Sequence, residues 1–524
     1  MTSRPVERPS RLPVRMGSAG AWVTRSAAPL VGFIAGVIAF AGSGIPSFWG
    51  DEAASVLSAE RSVPSLLALL GHIDAVHGLY YLFLHGWIGL VGTSEAAVRF
   101  PSAVAVALAA AGTVVLGTRL AGRATGVLAG CVLAVLPIVT RLGIEARSYA
   151  FTMAAAVWLV VWFVTLVRRR EARWWAWAAF AAASAVSLYL FLYLALLAVV
   201  QLAVLAAHRA PRATVLRWLA ASVATAVLAA PIIVIGAAQR EQIAFLARRD
   251  YATVDSVVVR QWFGSSPWVA VAAWSLIVVA IVAALFLRRM RPARRAALVG
   301  GVWLVVPTAV VLAANAWLTP TYNLRYLSFC APAVALLVAI GLRGLGALAA
   351  SAAPVASRPG AVGGRRAVPP ATLVPLLGLA VILGAATPGY LAQRGPYAKD
   401  HGADFRQAAA VVAANASPGD AIVFDQSTKP SRRPRLSLDL YPGQFAGLDD
   451  VALRRPLASR TVLWDAVAPL PAVADRVEAH ARVWAVESGS DSTDVAVLRS
   501  LGYTVEQAIP VHRTVVYELV KEGS

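Results

Sequence analysis

The sequence has few charged residues and almost no cysteine or lysine. Only 14% of its 524 residues are charged while 59% are hydrophobic, and the mean hydropathy is +0.67. Soluble globular proteins carry about 25% charged residues, so this composition excludes an ordinary cytosolic enzyme, a disordered chain and a nucleic-acid-binding domain. Two cysteines, Cys131 and Cys330, lie in apolar runs, which excludes a disulfide framework or a cysteine metal site.

The chain is instead rich in long apolar runs. Runs of about 18 to 20 residues match a bilayer core ~30 Å thick. They predict a polytopic α-helical membrane protein with about eleven transmembrane helices, at 28–46, 100–118, 126–140, 149–167, 174–190, 191–207, 214–236, 268–287, 297–315, 326–347 and 371–388. A further apolar stretch at 78–92 is short, at 15 residues.

The net charge of +20 has to be read against where the arginines lie, because arginine in short loops favours the cytoplasm. One set of segments holds 23 arginines and two acids; it comprises the tail 1–27 and the loops 119–123, 168–173, 209–217, 288–295 and 343–366. The opposite side, up to residue 388, holds nine arginines and nine acids. The excess charge therefore predicts orientation, and it does not indicate an anionic polymer as a partner.

The same asymmetry decides how 78–92 is interpreted. Counting this stretch as a full span would invert every later loop and place the arginines of 168–170 outside. We therefore expect an interfacial or re-entrant helix within a first outer loop, 47–99, of a transmembrane domain covering 28–388. The tail 1–27 is predicted to be cytoplasmic.

The last 136 residues, 389–524, differ from the rest of the chain in charge, because they contain 15 basic and 16 acidic residues and are nearly neutral. Helical and strand-like patterns alternate there, with a helix at 404–414 and strands at 421–424, 461–464, 482–486, 503–508 and 513–519. An odd number of spans places this segment outside. It is predicted to be a small periplasmic α/β domain of a protein of the bacterial cell membrane.

Residues able to do chemistry collect on the predicted outer face. Asp51 and Glu52 follow the first span directly; an acid pair at a membrane exit either faces a substrate or cation, or is a solvated loop that ends the helix. His77, Tyr80 and Tyr81 open the 78–92 stretch, where an aromatic belt at the interface is the alternative interpretation.

Three more groups share that face. One group, at the outer end of a span, comprises Glu145, Arg147 and Tyr149. Glu145 and Arg147 form a plain ion pair in one interpretation, and in the other Arg147 binds a phosphate. A second group, Arg325 and Tyr326, lies where an outer loop leads into another span. The arginine there either binds an anion or extends to the lipid headgroups. Arg260 lies in the outer loop 238–267, which is rich in charged and aromatic residues, including Arg249 and Asp250. The alternative interpretation of this loop is a solvated interfacial helix without a role in binding.

At these residues the sequence resembles the GT-C superfamily of integral-membrane glycosyltransferases, in particular the branch of protein O-mannosyltransferases and bacterial dolichyl-phosphate-mannose-type mannosyltransferases. The resemblance covers most of 28–345 and is carried by five motifs: Trp49-Gly50-Asp51-Glu52, His77-Gly78-Leu79-Tyr80-Tyr81, Glu95 to Ser102, Glu145-Ala146-Arg147-Ser148-Tyr149 and Arg325-Tyr326. Family members often have two prolines after the histidine, where this chain has Gly78 and Leu79.

The resemblance implies inverting transfer of a sugar from a polyprenyl phosphate at the outer face of the membrane. Asp51 would be the general base, and Arg147 and Arg325 would hold the donor phosphate. Glu52 and His77 would shape the sugar site or bind a cation. The remaining candidates for substrate or donor binding are Tyr80, Tyr81, Glu145, Tyr149, Arg260 and Tyr326. No cofactor is required with this set, although relatives allow a divalent cation.

The expected partners are the lipid-linked donor, membrane lipids and an acceptor, which is a glycan, a glycolipid or a protein. Mannose and arabinose are the expected sugars. The rival hypothesis is a transporter or flippase for a lipid-linked sugar, although such proteins place ionisable residues near the bilayer midplane and often show duplicated halves. A non-catalytic assembly partner with the same fold is a third hypothesis.

Overall fold

The computed structural model describes residues 18–169, 172–248, 251–352, 368–490 and 492–523. Most of the tail predicted to be cytoplasmic, residues 1–17, lies outside this described part, as do Arg170 and Glu171. The same holds for Arg249 and Asp250 of the outer loop and for 353–366 of the last arginine-rich loop.

Within the described part, seven helices are long and apolar enough to cross a membrane. They are Glu95–Ala121, Tyr149–Arg168, Arg212–Ala238, Pro267–Phe286, Arg288–Trp317, Ser328–Ala352 and Pro370–Ala392. Each coincides with one of the predicted spans. The protein is a multi-pass, mostly helical membrane protein, as its composition predicts.

The other four predicted spans also contain apolar helices: Ser18–Phe40, which has 23 residues, and the shorter Arg123–Val135, Trp174–Leu190 and Leu192–Ala207. A proline explains one of the shortened elements, because the chain leaves the helical conformation at Leu136 and a new short helix begins at Pro137. The stretch at 78–92 forms the helix Gly78–Val91. The count of eleven spans and the interfacial placement of this helix remain predictions.

Small residues allow the helices to approach closely. A side chain on Gly341, in the helix Ala331–Ala352, would overlap the carbonyl of Leu276 in the helix Pro267–Phe286. A Cβ on Gly126 would likewise meet the backbone of Val114 and Thr118. Close backbone packing of this kind stabilises helix pairs in lipid, where burial of apolar surface supplies no driving force.

The C-terminal segment forms an α/β domain with the helix Phe405–Asn415 and seven strands. The strands are β1 (Ala421–Phe424), β2 (Asp449–Asp450), β3 (Leu453–Arg455), β4 (Ala466–Val467), β5 (Arg482–Glu487), β6 (Tyr503–Pro510) and β7 (Val515–Lys521). Five form one sheet in the order β2-β1-β5-β7-β6, and β3 pairs with β4. β1 runs parallel to β2 and β5, whereas β7 is antiparallel to β5 and β6. Four predicted strands and the first helix therefore lie where the sequence placed them.

The predicted strand at 461–464 was wrong, because this segment binds to the first outer loop instead of joining the sheet. Arg61 donates hydrogen bonds to the carbonyls of Arg460 and Val462, each at 2.6 Å. Leu463 and Trp464 pack against the apolar cluster of the same loop. The alternation of apolar residues thus reflects contact with the membrane domain.

Candidate active site

A large cavity lies where the membrane helices, the first outer loop and the C-terminal domain meet. Its volume is about 1780 Å³. Of the predicted site residues, Asp51, His77, Arg147, Tyr149, Arg260, Arg325 and Tyr326 line it. The structure therefore brings together residues that are up to 275 positions apart in the sequence.

Asp51 lies in the first turn of the helix Gly50–Ala59, with its side chain 31% exposed to the cavity. Arg325 donates from Nη2 to Asp51 Oδ2 at 2.6 Å. The arginine is held over the rings of Trp49 and Tyr149, at 4.7 and 5.2 Å from their centroids. Burial raises the pKa of Asp51, but the charges of Arg325 and Arg147 outweigh it, so the pKa is lowered and the carboxylate stays ionised.

Arg147 is a buried cation whose side-chain partners are neutral. Nη1 donates to Ser55 Oγ at 3.2 Å and to Tyr81 Oη at 3.3 Å, and Nη2 lies 3.5 Å from His77 Nε2. Among the residues that the structure describes, no carboxylate lies within 4.0 Å of it, although its side chain lines the cavity. Such a guanidinium is suited to bind an anion by charge-assisted hydrogen bonds.

His77 is held neutral beside Arg147. Burial and the charge of the arginine lower the pKa of His77 to about 4. Next to it, Tyr81 donates its hydroxyl hydrogen to Asp74 Oδ2 at 2.9 Å. At neutral pH, His77 therefore contributes polarity to this wall of the cavity without adding charge, while Tyr81 is buried behind it.

Glu145 lies behind Arg325 and is completely buried. Its Oε2 is 3.5 Å from Arg325 Nη1, and its Oε1 is 3.3 Å from Arg141 Nε and 3.9 Å from Lys399 Nζ. Burial raises the pKa of Glu145, but Lys399, Arg325 and Arg141 together lower it. Glu145 itself does not line the cavity; it contacts three cations that do, namely Arg325, Arg141 and Lys399.

Glu52 points away from the cavity, although it follows Asp51 in the sequence. Arg99 donates two hydrogen bonds to the Glu52 carboxylate, at 2.8 and 2.7 Å, and the amide of Ala146 donates a third at 2.9 Å. Arg99 also donates to the carbonyls of Ser43 and Pro46. With both side chains fully buried, this pair fixes the loop that carries Asp51. The predicted role of Glu52 in binding sugar has no support in these contacts.

The remaining aromatic candidates fall into two groups. Tyr149 and Tyr326 pack with Phe191 at the cavity wall, with ring centroids 5.5 to 6.1 Å apart. Tyr80 is buried against Phe151 behind the wall and does not line the cavity. Sugars stack on aromatic faces; of these three tyrosines Tyr326 is partly exposed, whereas Tyr149 is 2% exposed and lies beneath Arg325.

Arg260 lies at the rim of the cavity. It is 62% exposed and pairs with Asp255 at 2.6 Å. Among the described residues, no group of three or more histidine, cysteine, aspartate or glutamate side chains is arranged to hold a metal ion. The prediction that no cofactor is required remains a prediction.

Two functional candidates were missed by the sequence argument, namely Lys399 and Lys429, which line the cavity from the C-terminal domain. A signal was present, because the chain has only three lysines and uses arginine everywhere upstream of Lys399. Segment 430–432 packs directly on Gly50, where a side chain would overlap the Ser431 carbonyl. The domain therefore closes the cavity beside Asp51.

Comparison with known proteins agrees with this architecture. A family model described as dolichyl-phosphate-mannose-protein mannosyltransferase matches residues 79–235. The structure of ArnT from Cupriavidus metallidurans in the apo state superposes with a TM-score of 0.57 at 15% identity, covering 96% of this chain and 98% of ArnT. The same protein bound to undecaprenyl phosphate gives 0.58 at 17% identity with the same coverage. No curated protein sequence matches the chain.

The full-length structural match shows that the chain has the fold of ArnT, while the match to the mannosyltransferase family model is confined to residues 79–235. This likeness of fold extends over nearly the whole of both chains, including the C-terminal domain.

Proposed function

We propose that this protein transfers a sugar, with inversion, from a polyprenyl-phosphate donor to an acceptor hydroxyl at the outer face of the membrane. The observation that carries the proposal is the convergence of a carboxylate, Asp51, and two arginines, Arg147 and Arg325, on one cavity between the membrane helices and the C-terminal domain. A base and an anion site in the same space are what such a transfer needs.

The proposed reaction uses these groups as follows. The donor enters between the helices and its phosphate binds Arg147 and Arg325. Asp51 removes the proton from the acceptor hydroxyl, the hydroxyl oxygen forms a bond to the anomeric carbon, and the bond from that carbon to the phosphate oxygen breaks. Polyprenyl phosphate leaves with the bonding electrons, stabilised by the two guanidinium groups.

The ion pair between Asp51 and Arg325 is consistent with a site that binds an anion, because Arg325 can exchange the carboxylate for a phosphate. When the donor phosphate binds Arg325, it competes with Asp51 for the same guanidinium. Weaker contact with Arg325 raises the proton affinity of Asp51, which makes it a better base once the donor is present. The structural match to a protein bound to undecaprenyl phosphate supports a lipid of this type as the donor carrier.

The polar side chains lie at one end of the helices, and this placement favours transfer over transport. Among described residues of the seven long helices, the charges that line the cavity come from outer ends and from loops. A transporter needs a binding site reached alternately from both sides, typically near the midplane.

Reconstituted protein provides the test of the proposed activity. The purified protein in nanodiscs should transfer the sugar of mannosyl or arabinosyl polyprenyl phosphate to a membrane or cell-wall acceptor, with inverted configuration at the anomeric carbon. Comparing lipids and glycans of a deletion strain and its parent identifies the acceptor, because the unmodified acceptor accumulates. Movement of labelled donor across the bilayer without formation of a new glycosidic bond would contradict the proposal.

A further inference from the structure

Lys399 is a buried cation for which the proposed reaction has no use. Its side chain is only 4% exposed, and it lies at the start of the C-terminal domain. Nζ donates a hydrogen bond to the carbonyl of Ile144 at 2.8 Å and lies 3.9 Å from Glu145 Oε1. Burying an ammonium group is costly unless it is paired. Both of its partners belong to the segment that also supplies Arg147.

Lys399 is the first member of a row of alternating charges that ends at Asp51. Glu145 lies between Lys399 and Arg325, with its Oε2 at 3.5 Å from Arg325 Nη1. The other terminal nitrogen of Arg325 donates to Asp51 at 2.6 Å. Arg325 is therefore shared between two carboxylates, one behind it and one in the cavity.

The sharing makes Glu145 a competitor for Arg325. Glu145 is completely buried, so its negative charge has to be balanced by the cations around it. Arg141 supplies one of these but is 45% exposed, which weakens its attraction for Glu145. Lys399 supplies a buried positive charge. Without it, Glu145 would attract Arg325 more strongly and draw it away from the cavity.

The backbone that directs Lys399 is held in an unusual conformation. The three residues after it have φ of 41° at Asp400, 58° at His401 and 97° at Gly402, all in the left-handed region. Such backbone is strained in residues other than glycine and persists only where its surroundings fix it. A side chain on Gly402 would overlap the ring of His512, so the turn fits closely against the C-terminal domain.

Asp400 ties the same turn to that domain. Arg432 donates from Nε to Asp400 Oδ2 at 2.8 Å and from Nη2 to Oδ1 at 2.5 Å. Arg513 lies 3.5 Å from the same carboxylate. The turn is consequently fixed within the C-terminal domain, and Lys399 extends from it to Ile144 and Glu145 of the membrane domain.

We propose that Lys399 is a positioning residue, which neutralises Glu145 so that Arg325 stays available to the donor phosphate. The C-terminal domain thereby influences donor binding through the side chain of Lys399. This inference rests on the proposed function for the nature of the anion, and on the contacts above for the role of Lys399.

Binding of undecaprenyl phosphate to the full-length protein in nanodiscs tests the inference. We expect Lys399→Met to raise the Kd for this lipid about tenfold, in the range of a typical coupling between sites. Lys399→Arg should recover most of the affinity, because it restores the charge. The matched control is Lys521→Met, at a half-buried lysine of the same domain whose Nζ also donates to a carbonyl, that of Glu478. This variant should bind like the wild type.

Steady-state transfer separates positioning from a loss of folded protein. In Lys399→Met the donor KM should rise more than kcat falls, whereas a merely structural role would reduce the active fraction and leave KM unchanged. Asp400→Asn keeps Lys399 but loses the charge that Arg432 holds. Asp400→Asn should also raise the Kd for the lipid, and it replaces Lys399→Met as the test if that variant does not fold.

The outcomes distinguish this inference from the function on which it rests. If the wild type binds undecaprenyl phosphate while Lys399→Met and Asp400→Asn bind it equally well, the role of Lys399 is overturned and the proposed function stands. If the wild type binds no polyprenyl phosphate and transfers no sugar, the proposed function fails and the inference fails with it.

Discussion

Asp51 and Glu52 are neighbours in the sequence with opposite surroundings. Consecutive residues of a helix point about 100° apart, so Asp51 faces the cavity while Glu52 faces the protein interior. The sequence predicts an acid pair at this position but carries no sign of which acid meets the substrate. That distinction depends on Arg99 and Arg325, which reach the two carboxylates from different helices or loops.

The buried pair of Glu52 and Arg99 is expected to matter for stability. Arg99→Met leaves the Glu52 charge without a partner, which typically costs about 3–5 kcal/mol. We expect a marked fall in the thermal unfolding temperature of the detergent-solubilised protein. The double variant Glu52→Leu with Arg99→Met should lose less, because no unpaired charge remains. A single variant as stable as the wild type would show that the pair is unimportant.

Arg325 is expected to set the pH dependence of the reaction. Its positive charge favours the ionised form of Asp51, so Arg325→Met should raise the pKa of Asp51. The acidic limb of kcat/KM, which reports the free enzyme, should then move to higher pH by about one unit or more. Arg260→Met, at an exposed arginine paired with Asp255, should leave the limb in place. An unmoved limb in Arg325→Met would mean that Asp51 does not control it.

At the level of helices and strands, local patterns predicted most elements. The seven long helices and strands β1, β5, β6 and β7 lie where apolar runs and alternation placed them. The segment 461–464 has the same alternation but contacts another part of the protein, which a local pattern cannot reveal. Lys399 was missed for a related reason, since its partner Ile144 is 255 positions away.

The contact between the helix Gly50–Ala59 and segment 430–432 can be tested at Gly50. A side chain there would overlap the Ser431 carbonyl, so Gly50→Ala should displace the C-terminal domain beside Asp51. We expect the transfer rate to fall about tenfold or more, since small misplacements of reacting groups are costly. Gly86→Ala is the matched control, because a side chain there meets open space. Equal activity of the two variants would argue against domain contact as a requirement.

At the scale of the whole molecule, the net charge of +20 predicts the orientation of the protein in the membrane. The arginines concentrate in loops predicted to be cytoplasmic, while the cavity and the C-terminal domain lie on the side with balanced charge. The structure adds that the cavity forms between the membrane helices and this domain. Both must therefore face the same compartment for the site to work.

Reporter fusions test that arrangement. A fusion at Ser94, after the helix Gly78–Val91, and a fusion at the C-terminus should both read as extracytoplasmic. A fusion in the loop 168–173 should read as cytoplasmic. A cytoplasmic signal at Ser94 would mean that the helix Gly78–Val91 spans the membrane and that the predicted orientation is wrong.

The central claim, that Asp51 is the base of a glycosyl transfer, is tested most directly by Asp51→Asn. The account predicts that transfer from a polyprenyl-phosphate sugar falls by about 10²–10⁴-fold. Undecaprenyl phosphate should bind at least as tightly as in the wild type, because the change removes a negative charge beside Arg325. Asp475→Asn, at an exposed acid of the C-terminal domain, serves as the control and should be fully active. Full transfer activity in purified Asp51→Asn would contradict the account.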